Sequence, residues 1–172
     1  MPGAGKSTIA EGLKSKGFDT INMGNAVRTE AKKNNLDPTG PNLGKLMLEL
    51  REKNGPGAIA ELVIPEIKNS MSNVIIIDGI RSNAEIDVLR QHGTVKLLAI
   101  HASTDKRFGF LQQRGRSDDP KTKENFEERD NRELGVGISN SIALSDDAIT
   151  NNNKTKEELI EASFKKIQGW IK

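Results

Sequence analysis

Residues 1–8 read Met-Pro-Gly-Ala-Gly-Lys-Ser-Thr. From Gly3 onward this is the second half of the phosphate-binding loop pattern G-x-x-x-x-G-K-[ST]. No other stretch constrains the fold as tightly, because such a loop hangs between a buried strand and the amino end of a helix. Gly3 and Gly5 let backbone N–H groups turn inward around phosphate oxygens with no Cβ in the way. Lys6 is placed to reach β- and γ-phosphates, and Ser7 to hold Mg²⁺ through its hydroxyl. Ala4 and Thr8 complete the cradle, with Thr8 supporting the loop or meeting the α-phosphate. A helix from Ser7 to about Lys16 directs its positive end at the same place.

The pattern's first Gly, and the strand that carries it, would precede Met1. In a P-loop architecture that strand is central, so without it two neighbouring strands would be left with unpaired ladders. The 172 residues alone are therefore expected to be destabilised and weakly active.

The remaining pattern is that of an α/β protein, a single domain over 1–172. Val74-Ile75-Ile76-Ile77 and Val95 to Ile100 are apolar runs without alternation, as in parallel strands covered on both faces. Thr20 to Met23 and Ala148 to Thr150 are weaker strands. Leu43, Leu46, Met47 and Leu50 recur at helical spacing, as do Ile59, Leu62 and Val63. Ile160, Phe164, Ile167 and Ile171 line a carboxy-terminal helix with Thr155 as N-cap. Strands alternating with helices predict a three-layer P-loop NTPase fold on a parallel sheet, order 2-3-1-4-5, its first strand lying ahead of Met1. Two stretches break the rhythm. Residues 24–73 are too long for a simple crossover and read as an acceptor-binding insertion. Residues 112–133 are very polar and read as a lid segment.

Chemistry-bearing residues fall at the strand ends and in these two stretches. Asp78 closes the best strand, where a Walker-B-type carboxylate would hold Mg²⁺ directly or through water. Arg81 just beyond is suited to a bidentate grip on an acceptor phosphate. Arg28 is either a solvated helix residue or a second contact to the acceptor. Arg114, Arg116, Arg129 and Arg132 suit a lid that neutralises a transferring phosphoryl group, and Asp118 and Asp119 would hold them by ion pairing while the lid is open. Asn151 and Asn152 follow the last strand, where a donor base would lie.

These motifs resemble those of nucleoside monophosphate kinases. Met-Pro-Gly-Ala-Gly-Lys-Ser-Thr is similar to the adenylate kinase P-loop. Gly24-Asn25-Ala26-Val27-Arg28 resembles that family's Gly-Asp-x-Leu-Arg. Asp78-Gly79-Ile80-Arg81 resembles its Asp-Gly-Phe-Pro-Arg, and Arg114 to Asp119 its Arg-x-Asp-Asp lid signature. The whole pattern looks closer still to an archaeal group of uncharacterised P-loop proteins, adenylate-kinase-related or dephospho-coenzyme A kinase-like. The resemblance implies ATP and Mg²⁺ as cofactors, an acceptor phosphate held by Arg28 and Arg81, and a closing lid with Arg116, Arg129 and Arg132. Asn25 in place of an acid, and the missing Pro before Arg81, bear on which acceptor is taken.

Composition narrows the alternatives. There are no cysteines and two distant histidines, His92 and His101, so a thiolate or histidine-built metal site is not expected. The net charge of +2 is too balanced for a nucleic-acid surface. No apolar run reaches membrane-span length, and a cytoplasmic protein is expected. Three functions fit: ATP-dependent phosphorylation of a nucleoside monophosphate, dephospho-coenzyme A kinase-like phosphorylation of a hydroxyl, or a non-kinase P-loop ATPase or nucleotide sensor. A hydroxyl acceptor usually wants a carboxylate base after the second strand. Asn22 and Asn25 stand there instead, which favours a phosphate acceptor. Adding about eight strand-forming residues and a Gly ahead of Met1 is expected to raise the melting temperature, and an unchanged midpoint would refute the missing-strand reading.

Overall fold

The computed structural model describes residues 1–171. The chain runs α1 (Lys6–Ser15), β1 (Asp19–Asn22), α2 (Met23–Lys33), α3 (Gly40–Asn54), α4 (Ala58–Glu61), α5 (Ile64–Asn69), β2 (Ile75–Asp78) and α6 (Asn83–Arg90). It continues with β3 (Leu98–His101), α7 (Thr104–Arg114), α8 (Lys123–Val136), α9 (Ile138–Ala143), β4 (Asp147–Thr150) and α10 (Lys156–Ile171). Polar caps start several of these helices. The side chains of Asn22, Thr39, Ser82 and Thr122 each accept a backbone N–H from three residues on. At α10 the cap is reciprocal: Glu158 N–H donates to Thr155 Oγ1 at 3.1 Å, and Thr155 N–H donates to the Glu158 carboxylate at 2.8 Å.

The strands form two parallel pairs. β1 lies beside β2 with Asp19 opposite Ile75 and Asn22 opposite Asp78. β3 lies beside β4 with Leu98 opposite Asp147 and His101 opposite Thr150. Two parallel pairs are compatible with the expected order, but among the described residues no hydrogen-bonded ladder joins them into one sheet. Each pair has its own core. Ile21, Met23, Val27, Leu43, Leu46 and Val63 bury the β1 side against α2–α4. Ile9, Leu13, Ile100, Ile149, Leu159 and Ile167 bury the β3 side between α1 and α10. Helix α1 packs on β1, β2 and α10 and so couples the halves.

Three sequence expectations need correction. Ile75, Ile76 and Ile77 are half-buried rather than enclosed, because β2 borders an open slot instead of another strand. The fourth expected strand starts at Leu98, not Val95. Asp146 holds Leu97 outside the ladder, its carboxylate accepting from Leu97 N–H at 2.7 Å and its N–H donating to the Leu97 carbonyl at 2.9 Å. The helix expected through Ile59, Leu62 and Val63 is two short helices, since Pro65 has no N–H to return to Glu61. Residues 112–133, the expected lid segment, take in the end of α7 and most of α8.

Removing the reciprocal cap tests how far α10 anchors the β3 half. Thr155→Ala is expected to cost about 1 kcal/mol, lowering the midpoint of thermal unfolding by about 2–4 °C.

Candidate functional site

The loop ahead of α1 is held from three directions. Asn151, at the end of β4, donates through Nδ2 to the Ala4 carbonyl at 3.0 Å. Arg107 of α7 donates to the Pro2 carbonyl at 3.2 Å and is fixed by both carboxylate oxygens of Asp130. Its guanidinium also lies over the Phe126 ring, 4.9 Å from the centroid. Lys6 Nζ donates to the Met1 carbonyl at 2.8 Å, closing the loop on itself. These anchors come so close that side chains at the glycines are excluded. Gly3 has φ +78°, and a Cβ there would stand 2.6 Å from the Arg107 carbonyl oxygen. Gly5 has φ +104°, and its Cβ would stand 2.7 Å from Asn151 Nδ2. The two glycines therefore answer both to left-handed backbone and to the elements pressed against the loop.

Asp78 lies beneath the start of α1. The same carboxylate oxygen accepts Ser7 Oγ–H at 2.9 Å and Asn22 Nδ2–H at 2.8 Å. β2 and β1 end at paired residues, Asp78 and Asn22, which is why the three groups meet. Ser7 and Asp78, each expected from sequence as a Mg²⁺ ligand, thus stand side by side. Among the described residues no three His, Cys, Asp or Glu side chains cluster into an all-protein metal cage.

Beside the loop is a compact group of charges. Glu133 of α8 is buried and pairs with Arg81 Nε at 3.2 Å. Burial by itself would raise its carboxyl, but Arg81, Arg129, Arg132 and Lys6 overcome this and hold it below the usual range. Arg81 Nη1 and Arg132 Nε are buried with no hydrogen-bond partner among the described residues. Lys6 is driven down to about 8, first by desolvation and then by Arg81, against the opposing pull of Asp78 and Glu133.

The 112–133 segment is folded onto the insertion rather than standing away from it. Arg28 Nη2 donates to both oxygens of Asp118, at 3.0 and 2.9 Å. Ser117 Oγ donates to the Pro38 carbonyl at 3.0 Å, and Arg132 lies against Gly44. Arg114 pairs with Asp119, and Arg129 donates to the Asp118 carbonyl at 3.0 Å. The carboxylates do pair with arginines, as sequence led one to expect, but Asp118 pairs across the fold with Arg28 as well as within its own segment. Arg116 instead borders a cleft of about 530 Å³ shared with Ser7, Asn22, Asn25 and Thr29.

Sequence reasoning placed Asn151 at a donor base. Its amide is committed to the loop carbonyl, and Asn152 accepts Ser103 N–H at 2.7 Å. It also missed three residues. Glu133 stands one helical turn from Arg129, an i, i+4 signal that was available. Arg107 and Asp130 are 23 positions apart, and nothing in their local sequence announces the pair.

A loop ending in Gly-Lys-Ser-Thr, closed over the ends of parallel strands and backed by a strand-end Asp, defines a P-loop nucleotide-binding protein of kinase-like fold. The model of the AAA domain family matches residues 1–127. The chain belongs to the UPF0200 family of P-loop proteins. It is 38% identical over 178 residues to UPF0200 protein PH1008 of Pyrococcus horikoshii, covering 99% of this chain and 96% of that one. It is 40% identical over 159 residues to UPF0200 protein MJ1399 of Methanocaldococcus jannaschii, covering 91% and 81%. A crystal structure of TT1252 from Thermus thermophilus superposes with a TM-score of 0.57 at 16% identity, across 96% of this chain and 93% of that one, a likeness of fold. No described helix is long and apolar enough to cross a membrane.

Lys6 gives a pH test of this site. Its free-state value is about 8, and a bound polyphosphate would raise it by direct charge attraction. Nucleotide affinity is expected to be flat below pH 8. Above it, the protein must take up a proton on binding, so affinity falls by about tenfold per pH unit. Titration of a fluorescent nucleotide between pH 6.5 and 9.5 measures the slope, and a flat profile would contradict the placement of Lys6.

Proposed function

We propose that this protein transfers the terminal phosphoryl group of ATP to a small acceptor that already bears phosphate, in the first instance a nucleoside monophosphate. The observation that carries the reading is Arg81. Its Nε is neutralised by Glu133, while its Nη1, beside Lys6, is buried without a partner among the described residues. A buried guanidinium N–H without an acceptor is costly. A second anion next to the P-loop would satisfy it.

The roles follow from position. Gly3, Ala4, Gly5, Lys6, Ser7 and Thr8 would bind the donor phosphates. Ser7 and Asp78 offer hard oxygen ligands suited to Mg²⁺, which typically keeps several waters and takes only one or two protein ligands. Bound there, Mg²⁺ would offset charge between the β- and γ-phosphates. Arg81 would hold the acceptor phosphate, joined by Arg28 once Asp118 yields it. Arg116, Arg129 and Arg132 would surround the charge that develops in transfer. Residues 24–73 would carry the acceptor and residues 112–133 would act as the lid, as the adenylate kinase resemblance implies.

A phosphate acceptor is already nucleophilic, so alignment and charge neutralisation suffice. The alternative with a hydroxyl acceptor lacks a suitable base. Asn22 donates its amide to Asp78, Asn25 accepts from Arg28, and Glu133 is held ionised by cations that make it a weak proton acceptor.

The test is release of ADP from ATP in the presence of AMP, CMP, UMP, GMP, dephospho-coenzyme A or no acceptor. Stimulation by one monophosphate is the expected result. Turnover independent of acceptor would favour an ATPase or sensor. Lys6→Ala is expected to abolish turnover with every acceptor. Arg81→Ala is expected chiefly to raise the acceptor KM, and an effect confined to the KM for ATP would remove Arg81 from the acceptor site.

A further inference from the structure

Glu85 is fully buried, and it is the third residue of α6, whose N-cap is Ser82. An acid at that position usually turns back to the N–H of the N-cap residue itself. Here one carboxylate oxygen accepts the N–H of Arg81, one residue earlier, at 2.7 Å. No other hydrogen bond reaches the Arg81 backbone among the described residues. The second oxygen accepts Arg51 Nη2, also at 2.7 Å. Arg51 belongs to α3, within residues 24–73, and its Nη1 donates to the Met47 carbonyl of the same helix at 3.3 Å.

A helix cap does not require this arrangement. Glutamine would cap α6 as well, and a buried carboxylate is costly unless a cation is paired with it. The pair instead joins α3 to the turn that carries Arg81, across 34 positions of sequence. That turn leaves β2 through Gly79, whose φ of +117° is open to glycine and strained for other residues. Both links to Glu85 are charge-assisted hydrogen bonds, the stronger kind.

We propose that Glu85 and Arg51 are positioning residues, which together fix the backbone of Arg81 and so set the affinity for the acceptor phosphate. The Arg81 side chain has its own restraint, from Glu133 of α8 at Nε. With the backbone held from α3 and the guanidinium held from α8, the unpartnered Nη1 keeps one place. An anion that meets a group already in place has no ordering cost to supply. Without the tether, the acceptor itself must order the turn. The role rests on the reading of Arg81 as an acceptor ligand. Neither hydrogen bond touches the phosphate-binding loop, so donor binding lies outside it.

The test follows ADP release with the stimulating monophosphate, and amide exchange at Arg81, in the whole protein. Arg51→Met alone would strand a buried carboxylate and endanger folding. The main variant is therefore Arg51→Met with Glu85→Met, in which apolar side chains replace the buried pair. It is expected to melt within about 5 °C of the wild type. Its acceptor KM is expected to rise at least about tenfold, with the KM for ATP changed by less than about twofold. Exchange at the Arg81 amide is expected to quicken by at least about tenfold. Arg51 meets Glu85 through Nη2 alone, so Arg51→Lys keeps the pairing and is expected to hold the acceptor KM within about threefold of the wild type. A double variant with the wild-type acceptor KM, or with a loss confined to kcat or to the KM for ATP, would overturn the positioning role and leave the phosphotransfer reading standing. Unchanged exchange at Arg81 would overturn it as well, and a double variant that no longer folds would show the pair to be merely structural. If no monophosphate stimulates the wild-type protein, the phosphotransfer reading itself fails, and the acceptor role of the tether falls with it.

Discussion

The Asn151–Ala4 hydrogen bond, together with Arg107 on Pro2, is the constraint from which the rest of the site follows. A phosphate-binding loop must keep several backbone N–H groups pointing at one spot, a conformation that few local contacts favour. Here the loop is pinned by elements distant in sequence. β4 supplies Asn151, α7 supplies Arg107, and α8 supplies the Asp130 that steadies Arg107. The loop can be ordered only when the β3 half is folded, although its chemistry faces Asp78 on the β2 half. It therefore couples two halves that share no sheet ladder.

That division explains the distribution of burial. A strand in the middle of a parallel sheet is normally enclosed on both faces and paired on both edges. Ile75 to Ile77 have the composition of such a strand but are only half-buried, while Ile21 on β1 is fully enclosed by the α2–α4 helices. The isoleucines of the best-looking strand are thus less protected than the single isoleucine of a weaker one. The stabilising work falls on α1, whose Ile9 and Leu13 sit at the centre of the β3-side core while its outer faces touch β1 and β2.

Much of this was legible from sequence, and the limits have physical reasons. Four strands, the P-loop helix and the capped terminal helix followed from apolar runs, glycines and Thr155, all local signals. Ser7 meeting Asp78 was legible because both motifs have fixed positions relative to a strand end. Pro65 signals the broken helix at Val63, but apolar spacing pointed the other way and masked it. Arg107–Asp130 was invisible because α7 and α8 come together only in three dimensions. The Asn151–Ala4 bond was not foreseen because only the strand it follows was read, whereas its side chain turns back to the loop.

Charge gives the final step. Near the loop stand Lys6, Arg81, Arg129 and Arg132, with Asp78 and Glu133 as the adjacent anions. If Glu133 were a proton acceptor, it would need a value near neutrality. The surrounding cations hold it low instead, and its carboxylate serves to orient Arg81. Lys6 is depressed first by desolvation and then by the charge of Arg81. A site that strains its own cations in this way gains more from an incoming polyanion than a solvated basic patch would. Binding would relieve repulsion as well as create attraction. The same arrangement gives an uncharged hydroxyl acceptor no comparable advantage. These electrostatics are in keeping with the phosphate-bearing acceptor proposed above, and Arg81 enters both arguments.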